Sequence, residues 1–422
     1  MKKIVLLIFI CFLTISAVNA TNQTAVNATN QTDQTFTDLQ TIIDNADENA
    51  TIELDSDYSF DESKDSTITI HKAVTINGNN HVLDAKSKVG IMIIDSSKVT
   101  LNNIIFKNGN SYNGGAIFAD SVIINNSEFD SNKAGYMGGA VFITGTFPIT
   151  NAPNATDDLT MLSDAVRVNN CKFIKNNARY GGAIFAKNGI VENSKFKSNN
   201  AEYGGAIHAE NSVVKNSEFI SNNADVGGAI FATRSIILSS GFTDNTGGSG
   251  GAVYCERSII DHCSFTKNKA DYGGAVMAFD SKIHNSNFDS NTAKHEGGAL
   301  YSFYGELINN VFINNNAKDA EAIYGVNNNI VNCTFKNNTN ALYDYSDESV
   351  HSNDLLSTGY AWSFDVNHPE NADGLNNASG LNTSSDNSSP NSNADSENTG
   401  NPIALLLIAL VIVVFDSRKF KK

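Results

Sequence analysis

Acid–base chemistry on a polysaccharide needs two carboxyl groups at a set separation, or carboxylates with an imidazole, Lys or Arg base nearby. The chain offers one such constellation: Asp261 and His262 are adjacent, and His284 follows Asp261 by 23 residues. On neighbouring parallel strands Asp261 and His284 would sit about 5 Å apart on one outward position. Adjacent polar residues on an outer face are ordinarily just solvated, so this trio is the weak alternative to no catalytic site at all. A second set suits binding. Phe118, Phe142, Phe185, Phe231, Tyr254, Tyr301 and Tyr324, with His208 and Met277, recur at one position of a repeated segment. Tyr and Phe rings fit the flat faces of sugars or the groove of another protein, which makes the seven aromatics candidate ligand contacts. The competing reading is a structural ladder covered by an insertion loop or by Tyr180, Tyr203 and Tyr272. No metal or cofactor motif is present: Gly247–Gly251 lacks the aspartate of Ca²⁺-binding nonapeptides and opens no helix.

What positions these residues is a repeat. Phe-x-x-Asn recurs from Phe129/Asn132 to Phe335/Asn338, and Gly-Gly-Ala-aliphatic recurs from Gly114 to Gly297. Successive Gly-Gly pairs lie 23 or 24 residues apart, save one gap of 43. A fixed period of this size means a solenoid. Apolar residues come in short alternations without 3.6 spacing, so the units are strands, three per period. Five before each Phe the column is wholly aliphatic (Leu101, Ile124, Val168, Val191, Val214), and two before it stands a small residue, usually Ser or Cys. Both share the inward face with Phe. The fold predicted is an all-β right-handed parallel β-helix of about 23 residues per turn. Asparagines three before the Phe (Asn126, Asn170, Asn193), with Ser239 and His262 as the exceptions, are expected to form a ladder at a bend.

In chain order, residues 1–20 have Lys2, Lys3 and an apolar core, and are predicted to be a secretory signal. Residues 21–35, rich in Thr, Asn and Gln, are expected to be disordered. Residues 36–105 would form an N-terminal cap and opening turns: Thr37 or Asp38 caps a short helix with Leu39, Ile42, Ile43 and Ala46 on one face. Regular repeats fill 106–345, broken by an insertion loop at 145–165. A closing segment and acidic, Asn/Ser-rich stalk follow at 346–401, then a membrane anchor with basic tail at 402–422. The apolar run Ile403–Phe415 is short for a span. Sequons at Asn22, Asn27, Asn30, Asn49, Asn154, Asn377, Asn382 and Asn387 are candidate N-glycosylation sites.

The net charge is −16; removing the +2 of residues 1–20 and the +3 of residues 416–422 leaves −21 on the exported part. That sign argues against nucleic acid as a partner. Arg167, Arg179, Arg234 and Arg257 do not gather beside an acidic ladder, as a lyase would require. Past the signal four cysteines remain: Cys171, Cys255, Cys263 and Cys333. Three share the inward column in turns too far apart to bridge, and the four read as buried small residues, a Cys255–Cys263 bridge being conceivable but not expected.

The pairing of Gly-Gly-Ala-Ile with Phe-x-x-Asn resembles the repeats of chlamydial polymorphic outer membrane proteins. The whole layout, with its Thr67–Asn80 opening and its Thr399–Ile403 segment before an apolar run and basic tail, is similar to adhesin-like surface proteins of methanogenic archaea. The resemblance implies a pectin-lyase-like β-helix displayed at the cell surface, held by its C-terminus to membrane or wall, attaching to glycans, to other cells or to envelope components. A polysaccharide lyase or hydrolase and a structural envelope spacer are the alternatives. No cofactor is expected.

Overall fold

The computed structural model describes residues 34–96, 98–145 and 166–345, which belong to one compact unit. The predicted signal, stalk and anchor, nearly all of the insertion, and all of the eight candidate sequons named above but Asn49 lie outside the described residues. Asn49 is exposed. Among the described residues no helix is long and apolar enough to cross a membrane.

The chain winds into a right-handed parallel β-solenoid of about 13 turns. Three long sheets run its length. The phenylalanine sheet has 13 strands from Gln34–Thr35 to Thr334–Lys336, the aliphatic sheet 12 from Ala50–Glu53 to Asn329–Val331, and the glycine sheet 12 from Ile68–Ile70 to Leu342–Tyr345. Register follows the period, so Phe173 pairs Phe196 and Val191 pairs Val214. The inward Phe rings stack with centroids 4.7 to 4.9 Å apart from Phe106 to Phe312. The opening turns keep the same register as the rest.

Each full turn is closed by left-handed corners. In one turn these are Asn193 (φ 53), Ser198 (56), Gly204 (66) and Asn211 (46). Asn tolerates this region best among residues with a Cβ, which suits the asparagines three before most of the Phe, although Ser239 (φ 46) and His262 (φ 53) hold the same corner. Their amides also chain along the solenoid, Asn332 donating to Asn309 at 2.7 Å and Asn309 to Asn285 at 3.1 Å. Gly204 is needed twice over, because a Cβ there would also meet the Ile207 carbonyl at 2.1 Å. Its neighbour Gly205 is needed for close approach, with the Gly228 carbonyl 2.1 Å from a Cβ.

After most corners the next residue points inward, and its N–H is satisfied by a side chain one turn on. Asn222 is 1% exposed. Its Nδ2 donates to the Phe196 carbonyl (3.1 Å) and to Asn245 Oδ1 (3.0 Å), while its Oδ1 accepts from the Asn199 N–H (3.0 Å). Serines form two further ladders: Ser194 N–H donates to Ser217 Oγ at 3.1 Å, and Ser212 N–H to Ser235 Oγ at 3.1 Å. Three cysteines, Cys171, Cys263 and Cys333, belong here, while Cys255 lies mid-strand between Ala232 and Ala278. All four are free and buried, as expected, but these three are not merely apolar filling. Cys171 receives the Ser127 N–H and donates to the Asn169 carbonyl at 3.3 Å, doing the work of its serine neighbours. Burial pushes the thiols of Cys171, Cys255 and Cys263 up to about 12 and that of Cys333 to about 11.

Two expectations are corrected. Gln34–Thr35 is a strand paired with Tyr58–Ser59, so order begins before residue 36. Helix α1 spans Phe36–Asn45 with Thr35 as N-cap, not Thr37 or Asp38; Asp38 is the acidic partner of a capping box, accepting from the Thr35 N–H at 2.8 Å. Phe36 is thereby drawn into the core with Leu39 and Ile43.

A fourth segment of each turn, between the buried Asn and Gly-Gly, was not foreseen as strand. In places it pairs with its neighbour as a short two-stranded sheet, as Asn200–Tyr203 does with Asn223–Val226 and Lys269–Tyr272 with Thr292–Glu296.

Candidate functional site

In the glycine sheet the aliphatic residue points inward and its successor outward, and parallel register stacks the outward residues. Phe185 pairs His208, His208 pairs Phe231, Phe231 pairs Tyr254, and Tyr301 pairs Tyr324. Their rings stack: Phe118 on Phe142 at 4.9 Å, Phe185 on His208 at 4.9 Å, Phe231 on Tyr254 at 5.0 Å, and Tyr301 on Tyr324 at 5.1 Å.

The column is not a solvated stripe along its whole length. Phe185, Phe231, Tyr254 and Tyr301 are buried, Phe118, Phe142 and Tyr324 half-buried. The cover comes from the residue before each Gly-Gly pair, in the short fourth segment. Tyr180 stands edge-on to His208 (5.5 Å), Tyr203 to Phe231 (5.9 Å) and Tyr272 to Tyr301 (5.8 Å). Polar groups complete the seal: Tyr254 Oη donates to Glu256 Oε1 at 3.0 Å, and His208 Nε2 lies 3.4 Å from Glu210 Oε1.

Toward the C-terminal turns the cover changes character. The covering position, which reads Tyr180 and Tyr203 earlier, reads Glu296 and Asp319 here, and these two pair across successive turns. Beyond them Tyr324 stacks on Tyr343 at 4.9 Å, and Phe279 stacks on Phe303 at 5.1 Å in the next outward column. Tyr304, Tyr343 and Tyr345 are 63%, 36% and 58% exposed. Tyr304 holds φ 54, a left-handed corner that a bulky ring occupies only under strain. Burial, then the negative charge of Asp319, push the Glu296 carboxyl above the usual range. Burial and Glu296 raise the Tyr324 hydroxyl to about 12. Sequence reasoning missed this group because its reference column was the strand; reading the column before Gly-Gly (Met137, Tyr180, Tyr203, Val226, Ser249, Tyr272, Glu296, Asp319) would have found it.

Asp261 and His284 do pair in register, but their side chains part. Asp261 accepts from Asn285 Nδ2 at 2.8 Å and lies 2.9 Å from His262 Nδ1. His284 turns to Glu306 instead, Nε2 to Oε1 2.9 Å, without hydrogen-bond alignment. Among the described residues no group of three or more His, Cys, Asp or Glu is placed to hold a metal ion.

A family model described as the Chlamydia polymorphic membrane protein repeat matches residues 285–302. That stretch carries both landmarks once, Phe288/Asn291 and Gly297-Gly-Ala-Leu300. None of the curated proteins compared matches the chain. Solved structures similar to it include PfbA, a surface adhesin of Streptococcus pneumoniae, at 12% identity, covering 75% of this chain and 93% of that one with a TM-score of 0.45. A mannuronic acid specific polysaccharide family 6 lyase from human gut microbiota aligns at 10% identity over 72% of this chain and 86% of its own, TM-score 0.41. Tailspike protein 3 of bacteriophage CBA120 aligns at 12% over 78% and 59%, TM-score 0.35.

Proposed function

We propose that the chain is an exported, surface-displayed β-solenoid that attaches to glycans through the C-terminal turns of its outward aromatic column. The observation that carries this reading is the exposure of Tyr304, Tyr343 and Tyr345 beside the half-buried, stacked Tyr324. A folding sequence has no need of large rings in water at these positions, whereas a pyranose face does stack on them. The match of a polymorphic membrane protein repeat to residues 285–302 supports the same setting.

In this reading residues 1–20 direct export, α1 closes the first turn against edge pairing, and 346–401 and 402–422 serve as stalk and anchor, the sequons carrying glycans. The whole layout is that of an adhesin-like surface protein, the archaeal likeness included. The purified full-length chain, applied to an array of immobilised glycans, tests it. Binding that falls at least about tenfold in Tyr343→Ala/Tyr345→Ala, with unchanged circular dichroism, is expected. An array left empty by the wild-type chain leaves the envelope spacer as the better reading, and release of shortened glycans favours the lyase or hydrolase.

A further inference from the structure

The outward column of the aliphatic sheet is charged at Lys282 and Glu306 but aliphatic in the four turns that follow the insertion, where Ile190, Val213, Ile236 and Ile259 pair in register. Each stands beside an inward aliphatic residue, Ile190 with Val191 and Val213 with Val214. These strands therefore lack the apolar–polar alternation of a sheet facing water and have the composition of strands buried on both faces. Their burial agrees. Ile190 is 1%, Val213 0% and Ile236 9% exposed, and all four residues of Gly189–Glu192 are buried, whereas Ile123 and Ile259 to either side are half-buried. The three form a hydrophobic cluster separate from the core. Glu192 beside them is buried too, ion-paired to Arg167 and, at 3.1 Å, to Lys215. Among the described residues no strand or helix lies across this outer face.

We propose that the insertion, residues 146–165, seats on this outer face and covers Ile190, Val213 and Ile236. Both of its ends are fixed beside them. The Gly145 N–H donates to the Lys187 carbonyl at 2.8 Å, and Asn188 Nδ2 donates to the Gly145 carbonyl at 2.8 Å. Val166 opens the strand in which Arg167 pairs Ile190. A Cβ at Gly145 would lie 3.3 Å from Val166 Cγ2, so the segment leaves and returns at one point. Twenty residues running out and back reach about 30 Å, whereas the three turns from Arg167 to Ile236 span about 14 Å. Large apolar residues stand toward the two ends, Phe147 and Ile149 on one arm and Leu159, Met161 and Leu162 on the other. Residues 151–158 between them have none and carry the sequon at Asn154, so the arms supply the apolar contact and the middle faces water. The other face within reach of the stem is the glycine sheet, but Phe118 and Phe142 are half-buried there and Ile93 is 40% exposed. Full burial lies on the aliphatic side alone.

Val213→Cys in the full-length chain puts a reporter thiol under the contact. It should react with a thiol reagent at least about 10²-fold more slowly in the native chain than in denaturant. Removing 146–165 joins Gly145 to Val166 and restores the 23-residue period. In that chain, with circular dichroism unchanged, the reporter should react within about tenfold of its denatured rate while the four buried native thiols stay slow. Fast reaction in the full-length chain overturns the proposal, because the face is then open. Slow reaction in both chains overturns it as well, because another segment then covers the face. If the shortened chain does not fold, a photoreactive phenylalanine in place of Ile236 in the full-length chain decides. Crosslinks to residues 146–165 of the same chain support the proposal; crosslinks to 346–422, to a second copy, or to nothing overturn it.

Discussion

Phe231 and Tyr343 occupy the same outward position of the same sheet, yet the first is 6% exposed and the second 36%. Part of this lies in their strands: Phe231 is stacked between His208 and Tyr254, whereas Leu342–Tyr345 is the last strand of the glycine sheet and Tyr343 stacks on Tyr324 alone. The other part lies one corner away. Tyr203 stands edge-on over Phe231, whereas at the C-terminal turns the covering column has become Glu296 and Asp319. Burial in a solenoid is thus decided by neighbouring columns as much as by the position itself. The last turns differ in a second way: Ala320 replaces the first Gly of the pair and is held at φ 53.

The comparison can be broken most sharply at the thiols. Cys171 lies beside the sealed turns and Cys333 near the open end, and burial raises the former to about 12 and the latter to about 11. If only the outer column is open, both should react with a thiol reagent about 10²–10³-fold more slowly in the native chain than in denaturant. Denatured-state rates at Cys333 alone would mean that the whole end frays.

Truncating the rings comes next. Phe231→Ala should cost about 3–5 kcal/mol in urea denaturation, and Tyr343→Ala under about 1. Equal costs would erase the distinction between sealed and open turns. Removing the cover itself, Tyr203→Ala, should cost about 1–2 kcal/mol and raise binding of an apolar dye, while Asp319→Ala should leave dye binding unchanged.

At Ala320, relief of left-handed strain should outweigh the added chain entropy, so Ala320→Gly is expected to gain about 0.5–1 kcal/mol. A loss there would show that the last turn does not need the geometry of its predecessors.

The smallest effect is expected at Glu296, which faces Asp319, His295, Lys318, Tyr301, Tyr272 and Tyr324. Its carboxyl is raised in the folded state, so folding favours the protonated form. Stability is therefore lost as pH rises from the ordinary carboxylate range through the raised value. Glu296→Gln removes that loss and should lift Tm by about 1–3 °C at pH 7.5 with little change at pH 4. The same lift at both values would mean that ionisation is not the cause.

Much of this was written along the chain. Period, parallel register and the inward Phe and aliphatic columns follow from residues 23 apart standing on adjacent strands, because alternation within a strand and stacking between strands are properties of the backbone alone. The corner asparagines and the paired glycines were legible as columns because they recur with the period, but their left-handed dihedrals, shared with Lys175, Arg234 and Tyr304, were not. Lateral relations between columns were legible only in part: Tyr180, Tyr203 and Tyr272 could be named as a possible cover and Cys171 placed in the Ser/Cys column. Which ring lies over which, what the Cys171 thiol bonds, and that Tyr301 is sealed while Tyr343 is open depend on how far one segment leans across another after a corner. A repeat fixes what stands above and below each residue, but what stands beside it is set by corner dihedrals and side-chain reach, and those are decided only when the turn closes.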